Sequence, residues 1–350
     1  MNAPAPAGWR VVTRTRASGA FAAVALVAVA VLVAAPWYAS RGFLQDGFTL
    51  LTLLVLAQSW NLLAGYAGLV SIGQQAFVGT GAYALFAVAS LAGLDPLLGL
   101  VAGATVGAAL AVPTARFAFR LDGAYFAIAT WVIAEVCRLG LAQVKLLGGG
   151  TGTSLPRSAT KEMAGVDAIK TLLDVKTAHA VDVLVWWLAL GLAVAATVGA
   201  YRLLRSGPGL ALAAVRDDAE AARSVGVDAS RLRFRTFVGC SALTGATGAL
   251  VYLQKGRISP DAAFSVLDWT AYVIFIVVIG GIGTIEGPIV GVVVFLALRE
   301  LLADFGAWYL LALGAIAIAT MLFAPRGLWG LVRERTGLEL FPLRRRLVRD

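Results

Sequence analysis

Runs of about 20 apolar residues recur along almost the whole chain, from residue 20 to residue 324, and no polar segment between them is long enough to fold by itself. At membrane depth every backbone amide needs a partner within the protein, which a helix supplies inside a single segment. The chain therefore reads as an all-α polytopic integral membrane protein. Its composition agrees: 59% of residues are hydrophobic and 14% charged, against about 25% charged in soluble domains.

Hydropathy read against turn signals gives about ten spans, over residues 20–37, 46–64, 70–91, 97–113, 122–142, 180–201, 236–253, 268–283, 288–303 and 307–324. An even number puts both termini on one side. Short loops retained in the cytoplasm keep Arg and Lys, so the basic residues pick the side. With the N-terminus inside, the cytoplasmic set is Arg10, Arg14, Arg16, Arg116 and Arg120, with seven arginines from Arg202 to Arg235 and seven from Arg326 to Arg349. That is nineteen of 29 basic residues against eight outside, so the expected orientation is N-in and C-in. Residues 1–19 become a cytoplasmic tail, 20–325 a transmembrane domain and 326–350 a basic cytoplasmic tail. All five lysines fall in the expected external loops 143–179 and 254–267. The net charge of +9 is then topology and attraction to anionic lipid headgroups, not a nucleic-acid footprint.

Several chemistries find no support. Cys137 and Cys240 lie within apolar runs and read as core residues. The single histidine, His179, has Asp182 nearby but no set of three or four ligands, so no metal site is expected. The first run reads as an uncleaved span, because Pro36 and Trp37 follow Ala34 and Ala35 where a peptidase would cut. Glu135 and Arg138 stand three apart on one helix and can neutralise each other, and no relay of carboxylates for proton transport accompanies them. The Gly-rich start of the 143–179 loop lacks the Lys-Ser/Thr ending of a phosphate loop. No cofactor, nucleophile or carboxylate pair suggests an enzyme, and any ATPase must be a separate chain.

Two segments break the apolar runs. GYAGLVSIGQQAFVGTGAY places Ser71, Gln74, Gln75 and Thr80 among glycines at membrane depth, and IGGIGTIEGPIVG does the same with Thr284 and Glu286. Gly-interrupted segments in comparable places of two halves point to a transport path, so these six residues are its expected lining. Between the halves lies a polar island, RDDAEAARSVG, from Arg216 to Gly226. A short helix carrying Asp217 and Glu220, with small Ala221 and Ala222 and a terminating Gly226, suits docking by a soluble partner.

Together these pieces resemble the LivM-like permeases of the branched-chain amino acid ABC importer family over positions 45–335. The matching stretches are NLLAGYAGLVSIGQQAFVGTGAYA, DGAYFAIATWVIAEVCRLGL, SGPGLALAAVRDDAEAARSVGVDASRLRFRTFVGCSALTGATGAL, IGGIGTIEGPIVG and LFAPRGLWG. The resemblance implies a bacterial inner-membrane permease subunit without catalytic residues or cofactors. Its partners would be a sister permease, two ABC ATPases and an external substrate-binding protein. It assigns Arg216, Asp217, Glu220, Ala221, Ala222 and Gly226 to the loop, within 202–235, that docks on the ATPase. The family often carries His where Gln74 or Gln75 stands here, and urea, amide and aromatic-acid importers are similar to the same group. A self-sufficient channel or secondary transporter is the alternative from another class.

The topology is tested by single cysteines at Ser158 and Ser224 in a cysteine-free background. An impermeant maleimide added to intact cells should label the first and spare the second; equal external labelling would sink the ten-span arrangement.

Overall fold

The computed structural model describes residues 9–12, 16–302, 306, 308–343 and 346–349. Arg14, Arg344 and Arg345, counted above, lie outside the described residues, as do residues 1–8 and the expected span ends at 303 and 307. The first half runs through α1 (Arg16–Ala34), α2 (Arg41–Asn61), α3 (Gln74–Phe86), α4 (Pro96–Ala118) and α5 (Ala124–Ala142). Two short helices, α6 (Arg157–Lys161) and α7 (Val166–Leu173), then precede α8 (Thr177–Arg205). The polar island takes up the last two residues of α9 (Gly207–Asp217) and all of α10 (Ala219–Ser224), followed by α11 (Ala229–Lys255), α12 (Pro260–Ala263) and α13 (Tyr272–Gly280). Last come α14 (Glu286–Leu302), α15 (Trp308–Phe323) and α16 (Gly327–Thr336).

Among the described residues, eight helical stretches are long and apolar enough to cross a membrane. The other two expected spans, 70–91 and 288–303, coincide with α3 and α14, which are shorter. Boundaries move for local reasons. The second span starts at Arg41, earlier than expected, because the Ser40 hydroxyl accepts from Phe43 N and caps α2. The third starts late, at Gln74, since Gly68 at φ +70° turns the chain out of helix. Three wide π turns, at Leu62–Tyr66, Ala87–Leu91 and Leu267–Ala271, adjoin α2, α3 and α13.

The interior is sealed by small residues. On α4, Gly99, Gly103, Gly107, Ala111 and Ala115 recur at every fourth position and are all buried. They form a smooth seam against which α11 and α3 lie backbone to backbone. A Cβ at Gly103 would stand 2.8 Å from the Gly245 carbonyl oxygen and 2.9 Å from the Ala249 Cβ. Elsewhere aromatic donors pin one helix to another: Trp186 Nε1 donates to Leu32 O at 2.9 Å and Trp187 Nε1 to Val33 O at 3.0 Å, fastening α1 to α8.

Contacts sort the loops into two ends. At one, β2 (Thr153–Ser154) pairs antiparallel with β3 (Arg257–Ile258), tying the 143–179 loop to the turn after α11. Arg41 pairs with Asp182 there, and Asp95 accepts from Ala164 N at 2.7 Å. At the other end, β1 (Trp9–Val12) pairs antiparallel with β4 (Arg346–Arg349), so the two terminal strands share one end of the bundle. The α9–α10 arm belongs to this end as well, since Arg216 donates to Gly65 O at 2.9 Å and Arg233 to Ala67 O at 3.1 Å.

Gly103→Leu should lower stability in detergent by about 1–3 kcal/mol or abolish the monodisperse species, because the seam leaves no room for the branch. Gly191→Leu on α8, where a Cβ meets nothing within 4 Å, should unfold at the wild-type temperature. Thermal scans of both variants, read by size-exclusion fluorescence, make the comparison.

Candidate functional site

The chain breaks helix twice at the end that carries the terminal strands, and the two breaks lie against each other. After Gly280 the backbone turns through Gly281 (φ +131°) and Gly283 (φ +74°) before α14 begins at Glu286. Opposite it lies the π turn ending α2, where a Cβ at Gly65 would stand 2.6 Å from Gly283 N. Such proximity leaves backbone groups that helical bonding cannot satisfy. Side chains of α2 satisfy them: Asn61 Oδ1 accepts from Gly283 N at 2.8 Å, while Asn61 Nδ2 donates to Thr284 O at 2.8 Å. One turn earlier, Gln58 Nε2 donates to Ile285 O at 2.8 Å. Thr284 bonds within its own turn, donating to Gly281 O at 2.8 Å and accepting from Gly287 N at 3.0 Å.

The exposed arm is built onto this joint. Asp218 caps α10, its Oδ1 accepting from Glu220 N at 2.9 Å and Ala221 N at 3.0 Å. The helix ends with Val227 N on Ala222 O and Gly226 N on Arg223 O, each at 3.0 Å, the paired bonds of a Schellman motif. Gly226 supplies the left-handed φ of +87° that this ending needs. Ala222 is buried among Val215 and Ala229, so it anchors the helix to the chain's own core instead of offering a surface. Glu220 and Ala221 face outward, as does Val225, an apolar side chain 79% exposed. Arg216 is exposed on one side yet engaged on two others: Nη1 holds Gly65 O and Nε meets Asp217 Oδ1 at 3.1 Å. The arm is thus bonded directly to the first helix break.

Of the six expected path residues, two pairs line separate cavities and Gln75 and Thr80 line neither. Ser71 and Gln74 line a small cavity between α2, α3 and α11, beside Ser59, Ser241 and Thr244. The Ser71 hydroxyl accepts from Gly73 N at 3.2 Å, and Gln74 Nε2 donates to Leu56 O at 3.0 Å. Gln75 accepts from the Thr270 hydroxyl, and Thr80 donates to Ala76 O one turn back at 2.7 Å. Thr284 and Glu286 stand apart from these four. They line a cavity of about 350 Å³ that also holds Tyr66, Arg216 and Arg333, and Glu286 Oε1 accepts from Phe341 N at 2.9 Å. Their place is beside the arm, at the joint. Asn61 and Gln58 are not ionisable, and their signal in the sequence is a pair of carboxamides within an apolar run.

A multi-helix apolar bundle with helices broken at one end, and a capped surface helix bonded to the break, has the build of a membrane transport permease. The family model described as "Branched-chain amino acid transport system / permease component" matches residues 42–325, and the chain belongs to that family. It is 31% identical over 331 residues to the high-affinity branched-chain amino acid transport system permease protein LivM of Escherichia coli K12, covering 90% of this chain and 76% of the relative. The LivM protein of Salmonella typhimurium LT2 is 31% identical with the same coverage. A probable branched-chain amino acid transport permease protein LivM of Methanocaldococcus jannaschii is 24% identical over 71% of this chain and 77% of its own length. No solved structure matches the chain.

Asn61→Ala should leave Gly283 N and Thr284 O unpaired, at about 1–3 kcal/mol for each buried group. Thr80→Val removes a hydroxyl that only bonds its own helix and should change little. Melting of the two purified variants separates a joint from an ordinary polar contact.

Proposed function

We propose that this chain forms half of the membrane channel of an ATP-driven importer of branched-chain or related amino acids. Its complex would contain a sister permease, two cytoplasmic ABC ATPases and an external binding protein. The arginine distribution supports placing the bundle end with the terminal strands and the arm in the cytoplasm. One observation carries the reading: the Arg216 guanidinium joins a surface helix to the backbone of a broken membrane helix.

An ATPase that grips α10 through Glu220, Ala221 and Val225 would move a short lever with a rigid attachment. Asp218 and the Gly226 ending hold α10 as a unit, and Ala222 seats it on α9 and α11. Displacement passes through Arg216 to Gly65, and from the same turn through Asn61 to the Gly283–Thr284 break. Both interrupted segments then shift together. A packed seam of small residues transmits such motion as rigid-body rocking, because tightly packed helices do not deform smoothly. Access to the path would change sides with each ATPase cycle.

Two variants separate docking from transmission. The double variant Glu220→Lys with Gly226→Val reverses the charge of the outward face and puts a β-branched residue at a left-handed position. It should release the ATPases on purification and abolish uptake, while the permease loses no more than about 2 kcal/mol of stability. Arg216→Gln should retain the ATPases and hydrolysis but lower uptake in proteoliposomes at least ten-fold. Full complex and wild-type uptake in both would leave the arm a plain connector and favour a self-sufficient channel or secondary transporter.

A further inference from the structure

Two tyrosines near the bundle end opposite the arm are buried with their hydroxyls unpaired. Tyr83 of α3 is 2% exposed and Tyr252 of α11 is 1% exposed, and neither phenol oxygen has a hydrogen-bond partner in the protein. A buried hydroxyl normally finds one, because unpaired it forfeits its bonds to water with nothing in return. Helices α3 and α11 cross closely at Gly81 and Gly245, where a Cβ at Gly81 would stand 2.1 Å from the Gly245 carbonyl oxygen. Both then run toward the 143–179 loop: Asp95, after α3, accepts from Ala164 N, and β3, after α11, pairs with β2. Tyr83 and Tyr252 lie beyond the crossing, within electrostatic reach of each other.

A cation stands beside them. Lys255 closes α11, and its Nζ lies 5.0 Å from the ring centroid of Tyr252 and 4.8 Å from that of Trp269. Rings attract an ammonium without neutralising it. Among the described residues no carboxylate forms an ion pair with Lys255. Asp268, half-buried, is within electrostatic reach of the ammonium but does not pair with it. One broken stretch, residues 260–271, covers both tyrosines. The Phe264 ring packs on Tyr83 at 6.3 Å and closes over Gly79, where a Cβ would stand 2.5 Å from it, while Trp269 packs on Tyr252 at 6.1 Å. Helix is interrupted at Phe264 and Ser265, so the cover has its joint at the residue that closes it.

We propose that Lys255, Tyr252 and Tyr83 form the site that takes the carboxylate of an amino acid arriving at the external end of this permease. The inference rests on the importer proposed above and adds the residues that first receive its substrate. An ammonium and two hydroxyls, all donors and none bonded to an acceptor, suit a carboxylate. Asp268 suits the ammonium of the same zwitterion, and Phe264 with Trp269 presents an apolar wall to its side chain. Tyr83 is reached when the 260–271 stretch swings at Phe264 and Ser265. Hydroxyls left unpaired in the closed protein are then a stability cost kept for the bound state.

Tyr83→Phe and Tyr252→Phe remove the hydroxyls alone. In the complete complex each should keep or raise the melting temperature, since an unpaired group is lost, and should lower ATP-driven uptake in proteoliposomes at least five-fold. Lys255→Gln should lower uptake as far, with Lys255→Arg recovering at least half. Binding is read separately, without ATP or binding protein: excess leucine should raise the melting temperature of the wild-type complex, leucinol, which lacks the carboxylate, should not, and the shift should vanish in both phenylalanine variants. A leucine shift kept in those variants, or absent from the wild type, overturns the site whatever uptake does. Wild-type uptake in both variants overturns it too, and a lowered melting temperature beside that uptake marks hydroxyls that only bond buried water. Loss of binding-protein capture in Lys255→Gln with the leucine shift intact makes Lys255 a docking contact and overturns its part. Uptake by the wild type without ATP fails the importer alone, because the leucine shift still decides the site.

Discussion

A helix broken inside a membrane has backbone groups that nothing but the protein can satisfy, and Asn61 satisfies two of them with one side chain. A carboxamide donates and accepts at once, so its Oδ1 and Nδ2 take the Gly283 amide and the Thr284 carbonyl together. Leucine of similar size would leave both unpaired. This contact fixes how α2 meets the start of α14, and that placement sets Gly65 within reach of Arg216. Remove the carboxamide and the arm would be bonded to a turn with no fixed position. The π turn at Leu62–Tyr66 widens α2 at the same place, where such turns often mark functional sites.

Around this joint the bundle divides into a stiff part and a lever. The seam of α4 against α11 and α3 brings backbones into contact through Gly103, Gly107 and Gly245, which leaves no slack for local repacking. The lever is short, and its buried contacts are the small cluster of Val215, Ala222 and Ala229 together with Leu212 of α9, which is buried in the cluster of Phe126 and Phe237. A stiff body moved by a compact arm favours rocking over local melting. The arm's rigidity comes from its ends: a carboxylate cap at Asp218 and a Schellman ending at Gly226.

The two ends of the bundle are finished by different means. One end is knitted by a strand pair, by Arg41 with Asp182 and by Asp95 with Ala164 N, which give the 143–179 loop a fixed surface. The other carries the glycine breaks, the arm and the C-terminal segment, whose Phe341 bonds Glu286 and packs on Tyr201 and Phe21. The family match covers 42–325 and leaves out α1 and that segment. Both are joined to the matched region by a few defined contacts, among them Trp186, Trp187 and Phe341.

The helical membrane class was legible in the sequence because apolar runs of span length admit few other backbones. The position of the arm was legible too, since a polar island in so apolar a chain has to be a loop. So was the left-handed turn at Gly226, as glycine after a short helix signals its own geometry. What the sequence left open depends on contacts between residues far apart in the chain. Asn61 and Gly283 are separated by 222 positions, and no periodicity reveals that one carboxamide closes both sides of a break. The same reason divides the six path residues: Thr284 and Glu286 share a Gly-rich pattern with Ser71 and Gln74, but packing sets them beside Arg216. Spacing shows that Ala222 lies on the helix, and only the tertiary fold decides that it faces inward while Glu220 and Val225 face out. A pattern of residue types fixes local conformation; which face is covered depends on what the rest of the chain brings against it.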